Sequence, residues 1–366
     1  MGRRSSRRVF LHVGLPKTGT TFLQGVLTTS RKTLREHGVL FPWPTGSHFW
    51  AAQDLTEHLF LGQENPRVPG AWGKLARKAR RWPDTTVLSH ELFTLASAQQ
   101  AQQAVTDLEP AELHIVLTVR DYERQLPAVW QERLKNGSKV SFARHFSQAV
   151  EKEPSRRAEP AGFWRQQDAV GILARWAEVV PRDRIHVITV PQRGAPRDTL
   201  WRRFAGVVGV DADSIDLESI ESRGNVSMRP AQAQLLRRIN SRLQGALPPK
   251  VYRPLVKGYL TQAAAGSSAH AAYGFNDEQQ AATREWSEEL RDALATGGYD
   301  VVGDVDDLVA VPAPSAHRDL DDVPDDEQAQ ATILAAAALV RWMADPPDTE
   351  PPKPLRALVE HVRTRG

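Results

Sequence analysis

The chain has 366 residues and no cysteine, which excludes disulfide bonds, thiolate zinc sites and a cysteine nucleophile. A net charge of +3, with 41% hydrophobic and 25% charged residues, is typical of a globular protein and too small to indicate nucleic-acid binding. No stretch approaches the ~18 apolar residues that span a bilayer, so we expect no membrane span and, given the absence of cysteine, a cytoplasmic location.

The first predicted element is a buried parallel strand over residues 9–13, and a glycine-initiated loop follows it. The loop sequence is Gly14-Leu15-Pro16-Lys17-Thr18-Gly19-Thr20-Thr21, and its two last threonines open a helix with an apolar face. A strand that meets a helix through such a loop directs backbone N–H groups and the positive end of the helix dipole at one point. This arrangement predicts a site for a phosphate-like anion.

Strands and helices then alternate along the chain. Three further strands are predicted at 85–89, 112–119 and 184–190. The predicted helices cover residues 20–36, 51–60, 72–81, 96–108, 122–135, 142–151, 166–180 and 199–208. The alternation predicts an α/β fold, a three-layer sandwich with a central parallel sheet, which binds ligands at the carboxyl ends of its strands.

From about residue 211 the pattern is mostly helical, with predicted helices at 230–243, 254–263, 277–295, 329–343 and 355–364. We expect one large domain over 1–303, made of a ligand-binding core at 8–210 and a helical part at 211–303. An acidic, proline-rich linker is predicted at 304–328, and a helical tail follows at 329–366.

The spacing within the loop separates it from the Walker A motif. Gly14 and Gly19 enclose four residues, as in Walker A, but Thr20 stands where that motif has lysine, and Lys17 lies inside the loop. The sequence Pro-Lys-Thr-Gly-Thr-Thr at 16–21 resembles the 5′-phosphosulfate loop of sulfotransferases that use 3′-phosphoadenosine 5′-phosphosulfate (PAPS). The chain resembles the uncharacterised bacterial branch of this family, over about residues 8–303 and most strongly at 9–24, 86–92 and 113–136.

The resemblance implies PAPS as the sulfuryl donor, 3′-phosphoadenosine 5′-phosphate as the product, and no metal. Lys17 would reach the oxygen that bridges phosphate and sulfate, where leaving-group charge develops. The donor-binding residues that the resemblance implies in the loop are Pro16, Lys17, Thr18, Gly19, Thr20 and Thr21.

The resemblance also implies a grip on the 3′-phosphate of the donor. In the family, a strand ends in arginine and a serine eight residues later shares this phosphate. Arg120 fits the first position, but Ala128 stands at the second. Arg124, one helical turn beyond Arg120, could take the place of the serine, as could Gln125 or backbone N–H groups.

Two residues are candidates for the base that accepts the proton of the acceptor hydroxyl. Family members use glutamate or histidine, either from a segment after the loop helix or from the end of the second predicted strand. His48 matches the first place and Glu91 the second. We expect Glu91 to be the base, because His90 would point the opposite way in an extended backbone.

These features predict a sulfotransferase that moves a sulfuryl group from PAPS to a hydroxyl of a small-molecule, carbohydrate or lipid acceptor. One alternative is a P-loop kinase-like phosphotransferase, which the missing lysine at position 20 and the lack of a convincing Mg²⁺-binding aspartate at a strand end disfavour. The other is a nucleotide-binding scaffold that has lost catalysis, for which Ala128 is the best argument.

Overall fold

Six strands form one sheet within the residues that the structure describes. They are β1 Arg8–His12, β2 Val39–Leu40, β3 Thr85–Ser89, β4 Glu112–Val119, β5 Ile185–Thr189 and β6 Asp300–Val302. Their spatial order is β2-β3-β1-β4-β5-β6, and every neighbouring pair is parallel. This computed structural model describes residues 7–59, 64–218, 220, 228–248, 252, 256, 273–310 and 318–344.

Helices connect the strands in the first half of the chain and predominate after residue 211. They are α1 Thr20–Thr29, α2 Arg31–Glu36, α3 Thr45–Thr56, α4 Ala71–Arg81, α5 Ala98–Leu108, α6 Tyr122–Lys135, α7 Phe142–Lys152, α8 Trp164–Gln167, α9 Ala169–Ala177, α10 Thr199–Val208, α11 Pro230–Leu243, α12 Asp277–Thr296 and α13 Asp325–Ala344. A 3₁₀ turn over Glu91–Leu95 directly follows β3. No helix of the described ranges is both long and apolar enough to cross a membrane.

The sheet is covered by helices on both faces. On one face, Leu23, Val26 and Leu27 of α1 pack with Trp201 and Phe204 of α10 against buried strand residues. The three α1 residues recur at the spacing that gives a helix one apolar stripe. The pair α5 and α9 contact each other and the strands β4 and β5. The predicted three-layer α/β fold with a central parallel sheet is therefore confirmed.

The chain divides into two compact units. Unit 1 comprises Met1–Gln125, Ala149–Gly224 and Ala282–Ala310, and it contains the whole sheet. Unit 2 comprises Leu126–Gln148, Asn225–Ala281 and Val311–Gly366. Within unit 2, α11 packs along α13, and Ala231, Val323 and Ala331 form a small buried cluster between them. The predicted division into a domain that ends at residue 303, a linker that ends at residue 328 and a helical tail stays a prediction.

Some predicted elements differ from the structure in ways that local physics explains. The helix predicted over 20–36 is two helices, because Ser30 leaves the helical conformation and ends α1 while preceding α2. Strands β2 and β6, of two and three residues, were not predicted, since they are too short to show a period. The predicted helix over 355–364 lies outside the described residues, as does that over 254–263 except for Val256.

Candidate active site

The loop that follows β1 has a tightly determined backbone. Gly14, Lys17 and Gly19 all have left-handed backbone angles, with φ of 55°, 73° and 84°. A Cβ atom on Gly14 would lie 2.5 Å from Cγ2 of Thr20, and one on Gly19 would lie 2.3 Å from Cδ2 of Leu200. The positive φ favours glycine at both positions, and a Cβ would in addition force Thr20 or Leu200 to shift. The loop ends at Gly19, which precedes α1 without a side-chain cap on that helix.

Side chains beneath the loop hold it in place. The Thr18 hydroxyl is fully buried, donates to the Leu15 carbonyl at 2.6 Å and accepts from the Leu15 N–H at 3.2 Å. The carbonyl of Pro16 accepts hydrogen bonds from the side-chain amides of Gln125 and Gln167, both of which are buried. Thr18 and Gln125 thus act on the shape of the loop through their side chains.

The remaining predicted loop residues differ in exposure. Thr20 is buried, with 4% of its surface exposed, whereas Thr21 is exposed and Lys17 is half-buried. Both Thr20 and Thr21 belong to the first turn of α1, where helix N–H groups lack intrahelical partners. The loop therefore carries a half-buried lysine and leads directly into the positive end of the α1 dipole.

The strand register brings the other candidates to the same edge. His12, the last residue of β1, is paired with Ser89 of β3 on one side and with Val116 of β4 on the other. Glu91 lies two residues beyond Ser89, and Arg120 directly follows the end of β4. The anion loop, Glu91 and Arg120 consequently occupy the carboxyl ends of three adjacent strands, as the parallel sheet predicts.

Glu91 is accessible and hydrogen-bonded. Its side chain is 30% exposed, and its Oε2 accepts a 3.4 Å hydrogen bond from Nε2 of Gln24 on α1. The neighbouring His90 has its Nδ1 4.0 Å from the same oxygen. That Nδ1 accepts from the backbone N–H of Leu92, and burial lowers the pKa of His90 against the opposing effect of Glu91. A carboxylate with one bonded oxygen is able to take a proton on the other.

His48 is in a different environment from Glu91. It is fully buried in α3, stacked on Phe41 with ring centroids 4.4 Å apart. Its Nε2 donates to the Pro42 carbonyl at 2.6 Å, and its Nδ1 accepts from the Ser89 N–H at 3.2 Å. Burial lowers its pKa to about 4, with the Pro42 bond acting in the opposite direction. Both ring nitrogens are occupied by the backbone, so His48 ties α3 to the end of β3.

Arg120 has few partners in the described part of the chain. It forms no ion pair there and donates a single hydrogen bond, 2.8 Å long, to the backbone carbonyl of Arg124. Its Nε is buried and has no hydrogen-bond partner among those residues. Burial, followed by the charge of Arg124, lowers its pKa to about 10; Asp121 opposes this shift and Arg193 adds to it. Such a guanidinium remains charged at pH 7 and favours an incoming anion.

Arg124 has its donors committed to the protein. Its Nε forms an ion pair with the fully buried carboxylate of Asp121. Its terminal nitrogens donate to the carbonyls of Pro191 at 3.0 Å, and of Val190 and Asp307 at 3.4 Å. Arg193, by contrast, lies exposed in the segment after β5 and acts electrostatically on Arg120.

The sequence prediction missed Arg193 and Gln24. Arg193 follows the end of β5, so the strand-end rule that identified Arg120 applies to it as well. Gln24 lies one helical turn beyond Thr20 on α1, which places it on the side of the helix that meets β3. Within the described ranges, no group of three or more histidine, aspartate or glutamate residues is arranged to hold a metal ion.

Comparison with known proteins gives a limited result. No protein-family model matches the chain, and no curated protein does. Among solved structures, the chain is similar to a sulfotransferase from Alicyclobacillus acidocaldarius, with 18% identity and a TM-score of 0.38. The match covers 66% of this chain and 95% of the other.

Proposed function

We propose that this chain is a sulfotransferase that moves a sulfuryl group from PAPS to a hydroxyl group. The observation that carries the proposal is the meeting of three features at adjacent strand ends. These are the lysine-containing loop at 16–21, the accessible carboxylate of Glu91, and the guanidinium of Arg120, which forms no ion pair within the described residues. Sulfuryl transfer needs an anion cradle, a cation at the leaving oxygen, a base and a grip on the donor.

Each group has a role in this reaction. The loop N–H groups bind the 5′-phosphate, and Lys17 stabilises the charge that develops on the bridging oxygen. Arg120 binds the 3′-phosphate together with Arg193, because the donors of Arg124 are already engaged. The acceptor oxygen attacks sulfur, the bond from sulfur to the bridging oxygen breaks, and Glu91 takes the hydroxyl proton. 3′-Phosphoadenosine 5′-phosphate then leaves.

Glu91 is a better candidate for the base than His48. A base must reach the acceptor hydroxyl and keep a free lone pair. The Glu91 side chain is 30% exposed and is hydrogen-bonded through one carboxylate oxygen. The lone pair of His48 accepts the Ser89 N–H in a fully buried position. His48 therefore supports the backbone that leads to Glu91.

The kinase alternative is less consistent with the same strand ends. The aspartate that follows β4, Asp121, would be the candidate for holding Mg²⁺ beside a nucleoside triphosphate. It is fully buried and paired with Arg124, so its carboxylate is already neutralised. A cation such as Arg120, which forms no ion pair in the described ranges, suits a donor that carries an additional phosphate.

Ligand-induced thermal stabilisation tests the proposal. 3′-Phosphoadenosine 5′-phosphate should raise the melting temperature, since a ligand at 100 times its Kd adds about 2.7 kcal/mol of stability. ATP with Mg²⁺ should give a much smaller shift at the same concentration. Transfer of labelled sulfate from PAPS to a panel of hydroxylated glycans, lipids and phenols then separates an enzyme from a scaffold. Stabilisation by ATP·Mg²⁺ alone would refute the proposal.

We also propose a cytoplasmic location, from the absence of cysteine.

A further inference from the structure

His12 lies between the two halves of the candidate site. It is the last residue of β1, is completely buried, and reaches the strands on both sides. Its Nδ1 is 2.8 Å from the hydroxyl oxygen of Ser89, and its Nε2 is 3.4 Å from that of Thr118. Each contact continues into a chain of hydrogen bonds, and the direction of every bond can be worked out from chemistry alone.

The first chain leads to the anion loop. The hydroxyl of Thr18 lies 2.6 Å from the Leu15 carbonyl, which has no proton, so Thr18 must be the donor. The contact between the hydroxyls of Thr18 and Thr118, also 2.6 Å, must then use the proton of Thr118. With that proton committed, Thr118 can only accept from His12. The Nε2 atom of His12 therefore carries a proton.

The second chain leads to the proposed base. A neutral imidazole protonated at Nε2 has a bare Nδ1, which accepts from the hydroxyl of Ser89. The oxygen of Ser89 is left to accept from Nε2 of Gln24, 3.3 Å away. The second N–H of the same amide donates to Oε2 of Glu91 at 3.4 Å. Ser89 and Glu91 both accept here, which fixes the orientation of the Gln24 amide as well.

The surroundings of His12 keep it neutral. Burial lowers its pKa to about 4; Glu91 opposes this effect and His90 adds to it. The edge of the ring also packs against Phe204, with centroids 5.3 Å apart, so the imidazole has one well-defined orientation. A neutral, immobile imidazole with one donor and one acceptor is what the two chains require.

We propose that His12 is a positioning residue that sets the anion loop, residues 14–21, and the carboxylate of Glu91 together, through one continuous chain of hydrogen bonds. The inference rests on the proposed function, because it assigns the two ends of the chain to donor binding and to proton removal. His12 itself touches neither substrate. It determines where Thr18 holds the loop and which oxygen of Glu91 remains available for a proton.

Two substitutions separate the ends of the chain. Thr118→Val keeps the shape but removes the hydroxyl on the loop side, so affinity for 3′-phosphoadenosine 5′-phosphate should fall about 2- to 15-fold. Ser89→Ala breaks the link on the Glu91 side, so kcat should fall by a similar factor with that affinity unchanged. Thr118→Ser, which restores the hydroxyl, should recover the affinity. The proposal would be overturned if Thr118→Val and Ser89→Ala lowered kcat and nucleotide affinity equally, or if neither substitution changed kcat or affinity.

Nitrogen-15 NMR of histidine-labelled protein gives a readout that does not depend on turnover. The His12 signals can be assigned from their loss in His12→Gln. If His12→Gln does not fold, their shift in Ser89→Ala assigns them instead. These signals should report a protonated Nε2 and an unprotonated Nδ1. If the wild-type protein binds 3′-phosphoadenosine 5′-phosphate but His12 is protonated at Nδ1, the positioning role fails alone. If the nucleotide does not bind, the proposed function fails, and the positioning role fails with it.

Discussion

Replacing Arg120 with methionine should affect ligand binding and stability in opposite directions. Methionine keeps the length and the apolar contacts of the side chain but removes the charge. A charge-assisted hydrogen bond contributes about 1.5–3 kcal/mol, so affinity for 3′-phosphoadenosine 5′-phosphate should fall about 10- to 150-fold. Adenosine 5′-phosphosulfate lacks the 3′-phosphate, and its affinity should be nearly unchanged. Titration calorimetry with the two nucleotides measures the difference directly.

The melting temperature of the ligand-free Arg120→Met variant should be equal to or higher than that of the wild type. The reason is that Arg120 forms no ion pair within the described residues and lies near the cations Arg124 and Arg193. Removing a buried charge that has no ion-pair partner among the described residues relieves both desolvation and repulsion, and these gains oppose the loss of the hydrogen bond to Arg124 and of the attraction to Asp121. Replacing a residue whose role is to stabilise the fold would instead lower the melting temperature.

Arg124→Met is the matched control, because it removes the same group one helical turn away. That change breaks an ion pair with the fully buried Asp121 and should cost about 3–5 kcal/mol of stability. The folded fraction of Arg124→Met should still bind 3′-phosphoadenosine 5′-phosphate more tightly than adenosine 5′-phosphosulfate. The reasoning about Arg120 is refuted if its substitution destabilises the protein as Arg124→Met does, or weakens both nucleotides equally.

Three further outcomes are expected. Lys17→Ala should lower kcat by about 10²-fold or more with little change in nucleotide affinity, because Lys17 acts on charge that develops in the transition state; unchanged kcat in a steady-state assay would contradict this role. Glu91→Gln should reduce kcat by ~10²–10⁴-fold, the usual contribution of a general base, whereas an equal loss in His48→Gln with intact Glu91 would reverse the assignment. The free energy of unfolding should fall as the pH is lowered from about 6.5 to 4. The pKa of His12 and of His48 is about 4 in the folded protein and 6.5 in the unfolded chain, so the unfolded chain binds more protons in this window. Each histidine should cost about 2 kcal/mol between pH 7 and pH 5; urea unfolding at both pH values measures the loss, and His48→Gln should remove about half of this contribution.

The parallel sheet could be predicted, and so could the edge of the sheet at which the candidate residues lie, because both depend on local patterns. Strand β4 and the helices α6, α10 and α11 have the predicted bounds, since their apolar periods and flanking turn residues lie within a few residues of each other. The strand-end rule for parallel sheets also places Glu91 and Arg120 at the same edge of the sheet as the loop. That they follow the two strands next to β1 is known only from the strand order.

The functional meaning of single polar residues was harder to predict. His48 has the same appearance in the sequence as a catalytic histidine. Only its contacts with Pro42, in the preceding loop, and with Ser89, 41 residues away, show that its nitrogens are occupied. Arg124 is similar: helical spacing places it near Arg120, but the carbonyls that hold it belong to residues 190, 191 and 307. Hydrogen-bond partners distant in sequence have no local signature.

The late position of β6 in the chain has a consequence for biosynthesis. This strand pairs with β5 across a gap of more than a hundred residues, with His186 opposite Asp300. Until it emerges from the ribosome, the outer edge of β5 is an open template on which other nascent chains can add a strand. Asp307, seven residues beyond Asp300, supplies a carbonyl to Arg124 and a carboxylate to Arg203. The nascent protein should thus stay aggregation-prone until about residue 310 has been synthesised, and Arg124 and Arg203 lack their contacts with Asp307 until then. Folding should therefore be slow relative to that of a sheet made of local hairpins.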